Sequence, residues 1–384
     1  MSNKIILFLI LINISCDSNY SHFEEDIKTV QILVDVFSDT SFDIELQKII
    51  PLETSKNSVF GEYYNLKIID SFTFVFDQKT TKTIFKFDEF GQYIERIEKG
   101  RAPFELVEAY AASFDELRRM LYVYDFGDKK IKVYDFDMNY LNSIVIENPF
   151  LGFSHFVKLT SGKWLSNTHY KYFEGPDSSA HFLLIDGDLN KIEKKYLPII
   201  ELIEYPMIFQ NPVFYDYSNS KLLFLNGFNN YIYSLDENYN LVKLYNVDFG
   251  NFNITDKDRQ NYKVHELAGL CDEGSRKGHL DYINSNEHFL GFEYTYNGNY
   301  TEFCIYSKEY EKSISSEQLR NTNHNLPLGR LVHLGSDYFV CAVEPNMVIE
   351  YIESSKENRD RFENLDIKII DNLVLVYYSI NILK

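Results

Sequence analysis

One short phrase recurs along this chain about every 50 residues, and it limits the fold more than any other feature. IFKFDEFGQYIERI runs from Ile84, IKVYDFDMNYLNSIVI from Ile131, FLLIDGDLNKIEKKYL from Phe182 and YIYSLDENYNLVKLYNV from Tyr231. Each copy is an apolar run ending in Asp, a turn rich in Gly, Asn or Asp, and a second run of alternating polarity. The markers Asp88, Asp135, Asp186 and Asp236 are 47, 51 and 50 residues apart. FCIYSKEYEKSI from Phe303 is a fainter copy, with Ser307 in the Asp place. Alternation with period two followed by a turn is a hairpin. A hairpin repeated at this period is the outer half of a four-stranded propeller blade. Apolar strands centred near Phe74, Tyr122, Trp164, Leu223, Phe289 and Phe339 count six such blades. The expected fold is therefore all-β: a six-bladed β-propeller of four-stranded antiparallel blades.

A ring of sheets must not leave its first and last blades with bare edges. The segment 42–52, FDIELQKIIPL, alternates apolar and polar residues and is expected to complete the sheet built by the C-terminal strands, closing the ring. Between these ends the sequence reads as strands at 68–77, 121–125, 155–159, 212–215, 221–225, 288–294, 331–334, 338–343, 348–352 and 367–380, with a charged connector at 354–363. The segment 255–283 breaks the period. Its cap-like Thr255 and the apolar Val264, Leu267 and Leu270 suit a short helix or an ordered loop inserted between blades.

Composition excludes some functions. The 384 residues carry a formal net charge of −19, the wrong sign for neutralising nucleic-acid phosphates. The 31 Phe and 30 Tyr suit pleated, half-buried strands, and packing between blades accounts for most of them. Of four cysteines, Cys304 and Cys341 fall in apolar runs and read as buried. Cys271 falls in a polar segment and reads as exposed. No spacing suggests a zinc site or a disulfide framework.

The N-terminus reads as an address. Lys4, the apolar run 5–12 and Ile14-Ser15-Cys16 are too short to span a bilayer and suit a secretory signal. Cys16 after a small residue resembles a bacterial lipoprotein cleavage site, although Asn13 stands where a branched apolar residue is usual. The resemblance implies removal of residues 1–15, a lipid on Cys16, an acidic tether over 16–41 and the propeller over 42–384. Membrane contact would then be through the lipid alone, on the cell envelope, at the outer membrane.

Three features together resemble the six-bladed propeller proteins of Bacteroidetes, many of them lipoproteins. One is the repeated hairpin ending in Asp. Another is the connector GRAPFEL, where Gly100, Pro103 and Glu105 match a Gly-x-Gly-Pro-Gly-Glu pattern, while Ala102 and Phe104 replace two glycines and Leu106 replaces an aromatic. The last is the run at 371–375, where Asp371, Asn372, Val374 and Leu375 match and Leu373 replaces a proline. The resemblance covers residue 42 to the end and implies a setting among surface nutrient-uptake and signalling proteins.

Function is less legible. Arg101 and Glu105 lie beside a blade connector, with Glu98. Tyr170, Tyr172, Phe173 and Tyr294, Tyr296, Tyr300 cluster in expected loops, where aromatic faces suit sugar stacking. These make Arg101, Glu105, Tyr170, Tyr172, Tyr294 and Tyr296 the ligand-binding candidates. Asp186, Asp188 and Asn190 imitate the start of a calcium loop, but Lys191 and Leu197 occupy its Gly and Glu places, so the turn reading is preferred. His155, His169 and His181, and His265, His279 and His288 with Asp272, Glu273 and Asp281, are the only candidate metal clusters. No nucleophile elbow, phosphate loop or HExxH appears. The expected role is a module binding a small molecule, glycan or protein at the pocket where blades meet, with no cofactor. The alternatives are a propeller hydrolase or lyase with a divalent metal on the axis, and a docking domain for an outer-membrane transporter.

Overall fold

The computed structural model describes residues 29–34, 42–61, 65–147, 153, 155–167, 180–198, 222–322 and 326–382. Six four-stranded sheets follow one another along the chain. Blade 1 holds Asn65–Ile69, Phe72–Asp77, Thr83–Phe87 and Tyr93–Arg96. Blade 2 holds Ala109–Asp115, Met120–Asp125, Lys130–Asp135 and Tyr140–Val145. Blade 3 holds His155–Lys158, Trp164–Asn167, Ala180–Ile185 and Ile192–Pro198. Blade 4 holds Phe224–Leu225, Tyr231–Leu235 and Leu241–Asp248, with Val30–Leu33 added outside in parallel to Leu241–Asp248. Blade 5 holds Gly278–Ser285, Phe289–Tyr296, Asn299–Ser307 and Lys312–Ser315. Blade 6 holds Arg330–Leu334, Tyr338–Val343, Val374–Ile382 and, as its outer strand, Phe42–Pro51.

The ring closes as its sequence requires. Phe42–Pro51 pairs antiparallel with Val374–Ile382 from Phe42↔Ile382 to Pro51↔Val374. Asn372 fastens the joint. Its Nδ2 donates to the carbonyls of Glu53 (2.7 Å) and Ser58 (3.0 Å), its Oδ1 accepts from Phe60 N, and its own N–H donates to Thr54 Oγ1.

Core packing ties each blade to the next. Phe74 and Phe76 of blade 1 share a cluster with Phe114, Leu121 and Val123 of blade 2. Tyr122 and Ile131 pack with Phe156, Trp164 and Leu183 across blades 2 and 3. One cluster runs through blades 3, 4 and 5, from Leu165 and Phe182 through Phe224 and Ile232 to Leu290 and Phe292. Phe303 and Ile305 meet Phe339 and Tyr378 across blades 5 and 6. Val332, Val340 and Leu375 meet Leu66, Val75 and Phe85, joining blade 6 to blade 1. Burying each such side chain contributes roughly 1.5–3 kcal/mol, so the ring is held by its sector boundaries.

The recurring Asp has a physical explanation. Its Oδ1 accepts backbone N–H groups from the turn it precedes: Gln92 for Asp88, Asn139 for Asp135, Asn190 and Lys191 for Asp186, and Asn240 for Asp236. The residue three places after each Asp is left-handed: Gly91, Met138, Leu189 and Tyr239. The side chain thus repeats one Asx-type turn four times. At Asp186 the carboxylate is occupied by the turn, in agreement with the turn reading of its calcium-like spacing. Gly91 has a second constraint, because a Cβ there would lie 2.3 Å from Pro51 O. These turns also dock on the preceding blade. Lys194 Nζ of blade 3 donates to Asn238 O (2.7 Å), Tyr196 Oη to Tyr239 O (2.8 Å), and Lys86 of blade 1 pairs with Asp137 (3.1 Å).

Several local expectations are corrected. Residues 68–77 form a hairpin instead of one strand, with Asp70 left-handed at the bend. Residues 348–352 are helical: Pro345 opens helix α4 (Pro345–Glu353) and fixes the backbone for it. The connector 354–363 contains a further helix, Lys356–Arg361, capped by Ser355. The last strand starts at Val374, and Ile369 and Ile370 before it are exposed. Within the inserted segment, Thr255 caps helix α1 (Asp256–Asn261) in a capping box with Asp258, and α2 (Val264–Asp272) follows. Its final residues already belong to the inner strand of blade 5. Cys271 is buried in α2, and burial pushes its thiol up to about 12. Residues 212–215 lie outside the described residues.

Candidate functional site

Antiparallel strands alternate in direction, so the loops of each blade sort to two ends. Loops between second and third strands, and connectors between blades, share the end where inner strands begin; we call this the entry end. Turns between first and second, and third and fourth strands, lie at the other. All the helices described, the GRAPFEL connector and the 52–61 segment fall at the entry end.

The connector after blade 1 is held by buried polar groups. Asp125 Oδ2 and Oδ1 accept from Val107 N (2.9 Å) and Glu108 N (2.8 Å). Lys132 Nζ lies 2.8 Å from both Asp125 Oδ2 and Asp128 Oδ2, and also donates to Glu105 O. Burial alone would raise the Asp125 carboxyl. The Lys132 ammonium and the two N–H donors outweigh it, and the pKa is lowered. Glu105 turns its carboxylate inward, taking Ala102 N at 2.8 Å. That carboxylate fills the space where a Cβ on Gly100 would stand, 1.9 Å from Glu105 Oε2, which explains the Gly100–Glu105 pairing in the sequence. Ala102 and Phe104 do not need positive φ, so the loop accommodates the loss of both glycines.

A cavity of ≈ 610 Å³ opens at the entry end between blades 5 and 6. Tyr296, Asn297 and Asn299 supply one wall from the hairpin of blade 5. Helix α3 (Ser316–Thr322) supplies Glu317, Arg320 and Asn321. Arg330 and Ala342 come from the first two strands of blade 6, and Glu344 and Met347 from the start of α4. Its floor is a preorganised polar network. Glu317 Oε2 accepts from Tyr294 Oη (2.7 Å) and pairs with the buried Lys277 at 2.5 Å. Glu302 accepts from Asn299 Nδ2 (2.7 Å), Ser316 Oγ and Arg320. Behind the wall, Glu293 accepts from Leu331 N (2.9 Å), and its Oε2 lies 3.4 Å from Arg330 Nε. Burial raises the Glu293 carboxyl to about 8 against the opposing pull of Arg330. The volume falls in the range of small-molecule sites.

A second, small cavity of ≈ 40 Å³ lies among the inner strands of blades 1, 2, 3 and 5, lined by Asn65, Lys67, Ser113, His155 and Tyr282. Tyr282 reaches from blade 5 to the inner strands of blades 6 and 1, its hydroxyl donating to Val332 O (2.8 Å) with Leu66 O at 3.3 Å.

The candidates from sequence are dispersed. Tyr296 lines the larger cavity. Tyr294 is buried beneath it and acts through Glu317. Glu105 organises its own loop, and Arg101 is exposed beside it, at another sector. Cys16, Tyr170 and Tyr172 lie outside the described residues. Among the described residues no group of three or more His, Cys, Asp or Glu is placed to hold a metal. His265 and His288 are exposed, whereas His279 is half-buried and stacked on Phe228 at 5.0 Å. His181 is half-buried, and desolvation lowers it to about 4. Sequence reasoning missed Glu302, Glu317, Arg320, Arg330 and Glu344. Four of them, Glu317, Arg320, Arg330 and Glu344, stand at strand or helix ends, whereas Glu302 lies within its strand.

The fold and this cavity define a closed six-bladed propeller with a polar recess at its entry end. Residues 35–379 match the family described as a domain of unknown function, DUF4934, and the chain belongs to that family. Two solved structures share the architecture. A Bacteroides fragilis protein named for inferred export superposes with a TM-score of 0.70 at 16% identity, over 93% of this chain and 100% of that one. A DUF4221 family member from Bacteroides vulgatus gives a TM-score of 0.56 at 12% identity, over 90% of this chain and 100% of that one. Among curated proteins, none matches the sequence. No helix among the described residues is long and apolar enough to cross a membrane.

Proposed function

We propose that this protein is an exported binding module, anchored to the cell envelope through a lipid on Cys16, that captures a small ligand in the cavity between blades 5 and 6. The observation that carries the reading is the cavity itself: ≈ 610 Å³, walled by four stretches of chain, over a floor where the buried Glu302 and the partly buried Glu317 are both paired. Buried polar groups that are already satisfied keep their geometry when a ligand arrives, which lowers the cost of binding. Nearness in fold to a Bacteroides protein named for inferred export supports the export half of the reading. A link to outer-membrane nutrient uptake follows as the setting for such a module, with a transporter as partner.

Thermal-shift measurement against sugars, amino acids, short peptides and organic acids tests the cavity. A ligand present at about 100 times its Kd stabilises the fold by about 2.7 kcal/mol. Asn321→Trp, on the exposed rim of the cavity, is expected to abolish that shift; a shift that survives in this variant places binding elsewhere. Palmitate labelling with a Cys16→Ser control tests the anchor, and equal labelling of both proteins rejects it.

A further inference from the structure

We infer that the ligand taken by this cavity is a neutral saccharide of disaccharide size, held by the amides of Asn297 and Asn321 and the carboxylate of Glu344 and stacked on Tyr296. The inference rests on the binding reading above and names the ligand class of that site.

Charge decides the class. The cavity is lined by the carboxylates Glu302, Glu317 and Glu344 and the cations Arg320 and Arg330, with Lys277 beneath on Glu317. Three negative charges thus meet three positive ones. The enclosed Glu293 does not disturb the balance, because burial keeps its carboxyl protonated at neutral pH. Most of these groups already meet inside the protein: Glu317 with Lys277, Glu302 with Arg320, and Arg330 with Glu293 at 3.4 Å. A site that selects an ion presents an excess of the opposite sign, and this one has none. An ion of either sign would break an internal pair or bring in a charge that the site does not balance.

Hydrogen bonding of both senses is what the cavity offers. Asn297, in the blade 5 hairpin, and Asn321, near the end of α3, are exposed on separate walls, and among the described residues neither amide has a hydrogen-bond partner. Asn299 differs, being committed to Glu302 at 2.7 Å. An amide both donates and accepts, as each sugar hydroxyl does. Glu344, exposed at the rim, adds two acceptor oxygens that suit a pair of neighbouring hydroxyls. Tyr296 supplies a flat surface. Its ring is braced by Phe252, edge-on at 5.6 Å, and by the Lys277 ammonium 4.5 Å from its centre, neither of which lines the cavity. The negative face of an aromatic ring suits the polarised C–H groups of a pyranose. An apolar ligand of the same size would bury both amides unpaired.

The test is calorimetric titration of the full-length protein in mild detergent with neutral disaccharides (maltose, cellobiose, lactose, mannobiose and xylobiose), alongside digalacturonate as an acidic sugar, the glucosamine dimer as a basic one, and the dipeptide Ala-Leu. One or more of the neutral disaccharides is expected to bind at least tenfold more tightly than every charged probe. Because such a ligand carries no charge, raising the salt from about 0.05 to about 0.5 M should change its affinity by less than about twofold. Asn297→Gly and Tyr296→Ala are each expected to weaken it about tenfold. Glycine is chosen because Asn297 is left-handed, at φ 52, so the amide is removed without straining the turn. Circular dichroism melts confirm that both variants fold; Asn297, being exposed, is the safer of the two. Binding by none of the neutral disaccharides, tighter binding of a charged probe, or full affinity in the folded Asn297→Gly protein overturns the assignment. A charged probe that binds and is shut out by Asn321→Trp overturns the saccharide while leaving the cavity as a binding site. A neutral disaccharide that binds Asn321→Trp with full affinity overturns both readings.

Discussion

The two ends of the ring are built by different rules. At the end away from the entry, one turn is used repeatedly: an Asp carboxylate takes the backbone N–H groups of the next few residues, and the chain reverses in five residues. At the entry end the described connections differ from sector to sector. Blade 1 leaves through a loop pinned by Asp125 and Lys132, blade 5 is entered through α1 and α2, and blade 6 carries α4 within its second loop. The repeated end depends on local hydrogen bonds, each of modest net worth. The varied end depends on buried charges whose loss is costly. Repetition marks the part that holds the ring, and variation marks the part available for recognition.

That contrast is sharpened first by Lys132→Met. Removing the ammonium leaves Asp125 buried without its counter-charge, and about 3–5 kcal/mol of stability should be lost, measured by urea unfolding. A loss below 1 kcal/mol would mean that the entry-end network is no stronger than a turn. Glu293 gives the second effect. Its pKa is raised from 4.5 to about 8 in the fold, so the native state holds a proton that the unfolded chain releases. Stability should therefore be highest below pH 4.5 from this group, fall as pH rises, and level off above 8. The slope is on the order of 1.4 kcal/mol per pH unit. Glu293→Gln, neutral throughout, should flatten it; identical pH profiles in the two proteins would contradict this. Asn372→Ala strands the carbonyls of Glu53 and Ser58 at the ring closure and should cost about 2–3 kcal/mol in the same unfolding assay. The smallest effect belongs to the repeated end: Asp236→Ala should cost about 1 kcal/mol, and a cost matching that of Lys132→Met would erase the distinction.

The same contrast explains what was legible in the sequence. The Asp turn repeats, so its spacing exposed the blade count, and the alternating run at 42–52 exposed the closure. Residues 68–77 misled because Asp70 turns the chain in a left-handed conformation without a glycine to mark it. The apolar run at 348–352 has no strand partner and is helical once Pro345 and Glu344 set its start. The parallel pairing of Val30–Leu33 with blade 4 joins segments over 200 residues apart and leaves no local signal. The cavity was hidden for a related reason: its charged groups come from four separate stretches of chain, and only Tyr296 stood out as an aromatic in an expected loop.

Hydrogen–deuterium exchange with and without a ligand that gives a thermal shift tests most directly whether recognition belongs to the entry end. Protection is expected at residues 296–302, 316–321 and 342–347, with exchange unchanged in the turns at 88–92, 135–139, 186–190 and 236–240. Protection centred on those turns, with the cavity segments unchanged, would contradict the division of labour between the two ends.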